Sequence, residues 1–529
     1  MAADRRSPPL PTWLPLALVL VCVVPLYLWR LGAVPAFGGD EARFVVHANA
    51  IATTGHDLDG KWLPLLVRIE EYGVWYQPGL FYLIAATLKI APLAEWSVRL
   101  PTALIGILDV VLIYFVARRL LGGVWYAALA ALMLALTPAH LLLARQALDY
   151  ICPLPFFLGW LWCLLVVLET GSMWTAVLAG LLLGLGLYSH LAAWAMMPLC
   201  LVMTWAALAA SARPLRLMAA VGVGFAVPLL PLLVWLNANP EMLRAVATNY
   251  HVYDTQRLSP MQGAKDFLNY NGIETRLSVY WDYFNPGYLF MSGGANLTTA
   301  TRRAGVFLMA LALFLPCGLY YLWSNRKLPV ALVLLVAFLA APLWPALVDS
   351  RYLVQREIFA LPAGVLIAAF GAAWLLSQRP FIVRLATVLL IAGMPVQYYF
   401  FYSDYVGDYV TRSATWFDPA SFSHIADYVV PLDTATPVPA VYLSDALDDG
   451  LMHWRFQVEK RGRAELRLRS HFVDLNRFDL SQAAPSSLLV LYASDPKLGQ
   501  LTGPDTCCVL DKTILDPAGN PSAVVLRRR

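Results

Sequence analysis

The chain has 529 residues, of which 59% are hydrophobic and 14% are charged, and its mean hydropathy is +0.61. Soluble globular domains carry about 25% charged residues, so this composition excludes an ordinary soluble protein. The formal net charge of +4 gives no reason to expect a nucleic-acid partner. We therefore expect a protein that crosses a membrane many times and contacts membrane lipids.

Apolar runs long enough to cross a bilayer recur along the first three quarters of the chain. A crossing takes about 20 apolar residues, and this criterion predicts a polytopic α-helical bundle of about 11 transmembrane helices, or roughly 11 to 13. The runs cover residues 12–29, 100–117, 124–143, 151–168, 174–188, 191–209, 217–236, 304–323, 328–347, 358–376 and 381–399. Because no clear small-residue cleavage site follows the first run, we predict that it is a retained anchor.

Basic residues in the short loops predict the orientation of the bundle. Pairs of basic residues recur in loops that lie on one side, namely Arg118 and Arg119, Arg213 and Arg216, Arg326 and Lys327, and Arg379 and Arg384. By the positive-inside rule these loops and the N-terminus face the cytoplasm. The long loops 30–99 and 237–303 then face outward. A composition rich in Ala, Leu and Arg indicates a bacterial inner membrane, whose outer side is the periplasm.

The composition changes near residue 400, where apolar runs shorten to strand length and charged residues become frequent. We predict a transmembrane domain over residues 1–400 and a soluble α/β domain over residues 401–529 on the periplasmic side. Tryptophans and tyrosines in the first outer loop predict amphipathic helices that lie along the membrane surface. The cysteines predict no disulfide framework, because five lie in apolar runs and the other two are adjacent.

Two adjacent acids, Asp40 and Glu41, follow a pair of glycines just after the first predicted span. Asp40 fits the N-cap of a helix that extends to about Thr54, with Gly55 at its end. Helix capping explains both acids. The other interpretation is catalytic: one acid is a base, and the second supports it, because neighbouring helix residues point about 100° apart.

Further ionisable residues fall on the same predicted outer side. Arg145 and Asp149 lie between two membrane runs, where they form either an i,i+4 ion pair or part of a functional site at the mouth of the bundle. Arg351, Tyr352 and Arg356 begin a later span. Since an arginine fork matches phosphate oxygens, these residues suit either a lipid headgroup or an anionic substrate.

Glu70 and Glu71 in the first outer loop, together with His47, are candidates for an acceptor or metal site. The histidines and acids of this loop match no specific metal-ligand spacing, so a solvated loop is the favoured interpretation. No cofactor is indicated by a motif, and a divalent cation is the one candidate. His190, at an outer helix end, fits a structural histidine.

Taken in chain order, these segments resemble the GT-C class of polytopic membrane glycosyltransferases, in particular the family of protein O-mannosyltransferases and lipid A aminoarabinose transferases. The resemblance covers residues 12–399. It rests on the Asp40 and Glu41 pair and on the segments QPGLFYL, RLPTALIGILDVVLIYFVARRLLG, ARQALDY, DYFNPGYLF and SRYLVQREIFALP.

The resemblance implies an inverting transferase that moves a hexose or pentose from a polyprenyl phosphate to a lipid, glycan or protein acceptor on the periplasmic face. Asp40 would be the general base, with Glu41 beside it. Arg145 and Arg351 would neutralise the departing phosphate.

Asp149 and Tyr352 would also contribute to the donor site, Asp149 as a match to a family acid near the donor or a cation. The sequence departs from the family at one position. Gln77 stands where the aminoarabinose branch has a lysine that contacts the phosphate. An uncharged side chain cannot neutralise phosphate, so that charge must come from another basic residue or from a metal ion.

Two other interpretations compete with an enzyme. A transporter or lipid flippase would place ionisable groups near the middle of its spans, and here Asp109 is the main such residue. The third interpretation is an inactive scaffold that binds a partner through its C-terminal region. Because the acids concentrate at the outer rim, the sequence favours the enzyme.

Overall fold

The computed structural model describes residues 11–69, 73–478, 483–502 and 506–529. Most of the chain is helical. The first ten helices are α1 (Leu14–Leu28), α2 (Gly39–Thr54), α3 (Gly79–Leu88), α4 (Glu95–Leu121), α5 (Val124–Ala135), α6 (Pro138–Ala144), α7 (Leu154–Thr170), α8 (Met173–Gly186), α9 (Ala193–Ala210) and α10 (Leu215–Ala238).

A long loop with three helices separates this half from the second group of apolar helices. The later helices are α11 (Glu241–Asn249), α12 (Pro260–Leu268), α13 (Tyr270–Asp282), α14 (Leu311–Ser324), α15 (Pro329–Ala340), α16 (Leu343–Leu347), α17 (Ala360–Leu376), α18 (Phe381–Val406), α19 (Asp408–Phe417), α20 (Phe422–Ala435), α21 (Gly450–Lys460) and α22 (Leu498–Leu501).

Every predicted apolar run contains a helix. In the part of the chain that the structure describes, six helical segments are long and apolar enough to cross a membrane, and α5 with α6 forms a further bent pair. The other runs form shorter apolar helices. The bend of 63° between α5 and α6 follows from Pro138, which has no N–H to continue the helix. The chain is therefore a multi-pass membrane protein.

Close helix crossings hold part of the bundle together. Helices α8 and α10 approach so closely that a Cβ at Gly180 would overlap with the carbonyl of Val221, and one at Gly224 would overlap with the carbonyl of Val177. Small residues permit such contacts between membrane helices, whose association in a bilayer is driven by van der Waals packing and not by the hydrophobic effect.

The strands form two sheets. A hairpin in the first outer loop pairs β1 (Val67–Ile69) with β2 (Val74–Tyr76). The C-terminal sheet has the order β4-β3-β5-β7-β6. Strand β3 is parallel to its neighbours β4 and β5, and β7 is antiparallel to its neighbours β5 and β6. Its strands are β3 (Val441–Ser444), β4 (Ser470–Val473), β5 (Leu488–Tyr492), β6 (Cys508–Leu515) and β7 (Pro521–Arg528). The predicted fold class, a helical membrane bundle with a C-terminal α/β region, is confirmed.

The start of α2 differs from the prediction. Gly38 is the N-cap, and Asp40 lies in the first turn. The prediction of Asp40 as the cap was wrong, because the Glu41 side chain reaches back to accept the Gly38 N–H at 3.1 Å. Gly55 ends the helix in the left-handed conformation, as predicted.

The C-terminal α/β region rests on the segment between α1 and α4. Helix α18 continues past the predicted end of its span to Val406. Further along, α21 packs along α2: the rings of Phe37 and Phe456 stack 4.3 Å apart, and Asn49 donates to Glu459 at 3.0 Å. These contacts place the sheet region directly beside the acids of α2.

Candidate active site

A cavity of about 310 Å³ lies beside the first turn of α2. The β2 strand, the turn before α7, the loop between α8 and α9, the end of α11 and the segment before α17 form its walls. Its polar lining residues include Asp40, Arg43, Gln77, Asp149, His190, Tyr250, Gln355 and Arg356. Three residues predicted for the site, Asp40, Gln77 and Asp149, therefore lie in one cavity.

Asp40 is the accessible acid of the pair. Its side chain is 58% exposed, and its Oδ1 accepts a hydrogen bond from Nη1 of Arg43 at 2.6 Å. Asp40 also borders a second, smaller cavity of about 50 Å³, which Thr298, Trp416 and Asp449 help to line. A carboxylate placed between two cavities can face a different molecule on each side.

Glu41 is buried, and its carboxylate connects three segments of the chain through hydrogen bonds. Arg99 donates to both of its oxygens, at 2.7 and 2.6 Å, and the Ala147 N–H donates to Oε1 at 2.7 Å. With the Gly38 N–H, this carboxylate accepts four hydrogen bonds and joins α2, α4 and the segment after α6. Glu41 does not line the large cavity.

Arg145, which the resemblance places at the phosphate, does not line the cavity. It is fully buried, and its five N–H groups donate to the Tyr405 hydroxyl and to the carbonyls of Leu26, Tyr27, Trp29 and Val34. A guanidinium has five donors in total. Arg145 therefore fixes the end of α1 and the following turn, and it has no donor left for a ligand.

Arg351 and Tyr352 also point elsewhere. Both side chains bind Asp282 at the end of α13, Tyr352 at 3.2 Å. Neither residue lines the large cavity, so their predicted place at a donor phosphate stays a prediction. Arg356 lines it instead: its guanidinium donates to Ser350 and lies over the Tyr250 ring, 5.1 Å from the centroid.

Asp149 and His190 face each other across one wall of the cavity, with 4.0 Å between Oδ1 and Nε2. Nδ1 of His190 accepts the Ala192 N–H at 3.2 Å, so the proton of the neutral ring is on Nε2. Burial and the charge of Arg356 lower the pKa of His190 to about 3. His190 is therefore uncharged at neutral pH.

Two buried amides complete the lining. Nε2 of Gln77 and Oε1 of Gln355 have no hydrogen-bond partner among the described residues. Buried polar groups are normally paired, because an unpaired one loses its hydration without compensation. These two atoms are themselves buried, so both amides belong to the packed wall of the cavity.

Of the residues predicted for an acceptor or metal site, the structure describes His47. Glu70 and Glu71 lie outside the described residues. His47 is buried against Phe81, and burial, with the charge of Arg455, lowers the pKa of its ring to about 4. Within the described ranges, no group of three or more His, Cys, Asp or Glu residues could hold a metal ion.

Asp109, the ionisable residue at mid-span, belongs to the packing of the bundle. Its Oδ2 lies 3.3 Å from Nε2 of His140, whose Nδ1 lies 2.6 Å from the Tyr27 hydroxyl. All three residues are buried, and none of them lines the large cavity. This contact joins α1, α4 and α6.

Residues 77–235 match the family model of dolichyl-phosphate-mannose-protein mannosyltransferases. A search of curated proteins found no significant match. Among solved structures, the ArnT protein of Cupriavidus metallidurans bound to undecaprenyl phosphate is similar, with 16% identity over 98% of each chain and a TM-score of 0.57. Its apo structure matches with 16% identity over 97% of each chain and a TM-score of 0.59.

The chain has the fold of the GT-C membrane glycosyltransferases. The GT-C resemblance drawn from the ordered sequence segments is thereby confirmed. At 16% identity, these matches establish the fold of the chain. Its chemistry has to be argued from the residues of the cavity.

Sequence reasoning missed several residues that line the cavities. Arg356 had been noticed only as one of a group, with Arg351 preferred. Arg43 lies on the same face of α2 as Asp40, three residues on, which is a usable signal. Asp449 is about 400 residues away in the chain, and no local pattern could connect it to Asp40.

Proposed function

We propose that the chain is an inverting glycosyltransferase that moves a sugar from a polyprenyl phosphate to an acceptor, with Asp40 as general base. The observation that carries this proposal is a single cavity in which Asp40 shares the lining with Arg356. The undecaprenyl phosphate bound by the similar ArnT structure and the mannosyltransferase family model support this donor class. The proposed place is a bacterial inner membrane, with the site and the C-terminal α/β region in the periplasm.

The proposed reaction is a direct displacement. The acceptor hydroxyl or amine gives its proton to Asp40 while it attacks the anomeric carbon. The bond from that carbon to the phosphate oxygen breaks, and the oxygen leaves with the electron pair. Arg356 stabilises the charge that collects on the phosphate, and Gln77 lines the same cavity.

Arg356 replaces Arg145 and Arg351 in this scheme. Of the arginines in the cavity lining, Arg43 is engaged by two carboxylates, which leaves Arg356 as the cation for a phosphate. The smaller cavity on the other side of Asp40 supports an acceptor that approaches from beneath the C-terminal α/β region. Lipid, glycan and protein acceptors all remain within the proposal.

The test compares wild type with Asp40→Asn in two assays. Native mass spectrometry with added undecaprenyl phosphate measures binding. Release of undecaprenyl phosphate from synthetic undecaprenyl-phosphate-linked pentoses and hexoses, with a glycolipid and a hydroxyl-bearing peptide supplied as acceptors of the sugar, measures turnover. We expect the variant to bind the lipid as wild type does and to lose turnover by at least about 100-fold, the scale of general base catalysis.

An Asp40→Asn variant with full turnover would overturn the assignment of the base. The transferase proposal would be overturned if wild-type protein bound bulk phospholipid as tightly as undecaprenyl phosphate and released no undecaprenyl phosphate from any of the donors. That result would favour a transporter or scaffold.

A further inference from the structure

One residue of the C-terminal α/β region reaches the first turn of α2. Asp449, directly before α21, pairs through Oδ1 with Nη2 of Arg43. The Nη1 of the same guanidinium donates to Asp40 at 2.6 Å. A single arginine therefore bridges a carboxylate of the α2 helix and a carboxylate of the C-terminal α/β region.

We propose that Asp449 is a positioning residue for Asp40, a role that rests on the proposed function. An arginine commonly binds one carboxylate with both of its prongs. Here Nη2 of Arg43 binds Asp449, so Arg43 does not bind Asp40 through both of its Nη atoms. The C-terminal α/β region thus keeps the base oriented for the acceptor.

The backbone on both sides of this contact is shaped for it. Asp449 has a positive φ of 54°, a conformation that residues other than glycine seldom adopt. At Gly39, a Cβ would overlap with the Asp449 side chain. Glycine at position 39 is therefore what allows the Asp449 carboxylate to come this close to α2.

The remaining contacts of α21 do not depend on Asp449. Phe456 stacks on Phe37, and Glu459 accepts from Asn49. A change of Asp449 to Asn keeps the size of the side chain and these contacts. Such a variant should fold, and any effect on turnover then reports on the charge at Arg43.

The test measures kcat and KM for wild type, Asp449→Asn and Arg43→Gln and for the double variant, with undecaprenyl-phosphate-linked pentoses and hexoses as donors. The matched control is Asp448→Asn, the exposed neighbour of Asp449. We expect Asp449→Asn to lower kcat about 10-fold or more with little change in KM, because a misoriented base costs rate rather than binding. In the Arg43→Gln background the same change should have no further effect.

Hydrogen exchange of the peptide covering residues 36–47 gives a measurement that needs no substrate. Asp449→Asn and Gly39→Ala should both speed exchange in the first turn of α2, while Asp448→Asn should not. The proposal is overturned if Asp449→Asn matches wild type in exchange, or if its loss of kcat persists undiminished without Arg43. If wild type turns over no donor, the proposed function fails, and the exchange result alone decides whether Asp449 positions α2.

Discussion

Arg356 and Arg351 lie in the same outer segment, yet their side chains meet different partners. Arg351 is half-exposed and paired with Asp282, whereas Arg356 lines the cavity beside Tyr250. For this reason Arg356→Gln should weaken undecaprenyl phosphate binding by about 10-fold or more, the value of one charge-assisted hydrogen bond. Titration of the lipid in native mass spectrometry measures this change.

Arg351→Gln is the matched control, since it removes the same charge from the same segment without touching the cavity. Equal losses of lipid binding in both variants would show that the two arginines act only through the general charge of the outer face. Such a result would remove Arg356 from the donor site.

His190 makes the stability of the protein depend on pH. Its ring is neutral in the folded state, because burial and Arg356 lower its pKa to about 3. An unfolded histidine titrates near 6.5, so the unfolded chain binds the extra proton as the pH falls below this value. The free energy of unfolding should then fall on acidification, and His190 should contribute about 2 kcal/mol of loss between pH 8 and pH 5.

Thermal unfolding of detergent-solubilised protein at the two pH values measures this effect. His190→Gln should reduce the pH-dependent drop, and the exposed His56→Gln is the matched control. An unchanged drop in His190→Gln would show that the ring is not the group that titrates.

The residue types of the site were predictable from the sequence, but their contacts were less so. Asp40 and Asp149 stand out because acids are rare at the rim of an apolar bundle, and Gln77 stands out because it occupies the position of a family lysine. Arg145 is also a charged residue at this rim, but its guanidinium is bound by five protein acceptors and has a structural role. Which acceptors surround a side chain is a property of the packed chain, and no spacing in the sequence specifies it.

At the scale of elements, the adjacent acids of α2 divide their roles by helix geometry. Asp40 lines both cavities, while Glu41, about 100° around the helix, lines only the smaller one and binds Arg99. Glu41→Gln would leave the buried Arg99 charge uncompensated. Breaking a buried ion pair costs about 3–5 kcal/mol, so we expect a large fall in thermal stability and in yield of folded protein.

Asp40→Asn is the control at the neighbouring position. Its exposed ion pair with Arg43 is worth about 1 kcal/mol or less, so this variant should unfold near the wild-type temperature. A Glu41→Gln variant that is as stable as wild type but inactive would instead give Glu41 a direct catalytic role.

The positions of the helices followed from apolar runs, but their breaks did not. The run 124–143 was predicted as one span, and Pro138 divides it into α5 and α6. This break matters for the site, because it turns the chain toward Ala147, whose N–H binds Glu41. The length of an apolar run predicts whether it can cross a membrane. A bend depends in addition on which backbone N–H and C=O groups are hydrogen-bonded outside the helix.

At the scale of the whole molecule, one hypothesis for the C-terminal α/β region is that it recruits the acceptor. The structure adds a second relation, because α21 packs on α2 and Asp449 contacts Arg43. Contacts between segments about 400 residues apart leave no periodic signal in a single sequence. The two glycines before Asp40 hinted at a close approach, without indicating what approaches.

Deletion of residues 407–529 separates these two roles. The lining of the large cavity lies entirely at or before Arg356 among the described residues, so the truncated protein should still bind undecaprenyl phosphate within a few-fold of wild type. Turnover should be lost for small and large acceptors alike, because α2 loses Asp449 and its packing partner Phe456. If turnover of a small acceptor persisted while that of a large one failed, the region would serve recruitment alone. The comparison therefore decides whether the C-terminal α/β region is an accessory to the site or a part of it.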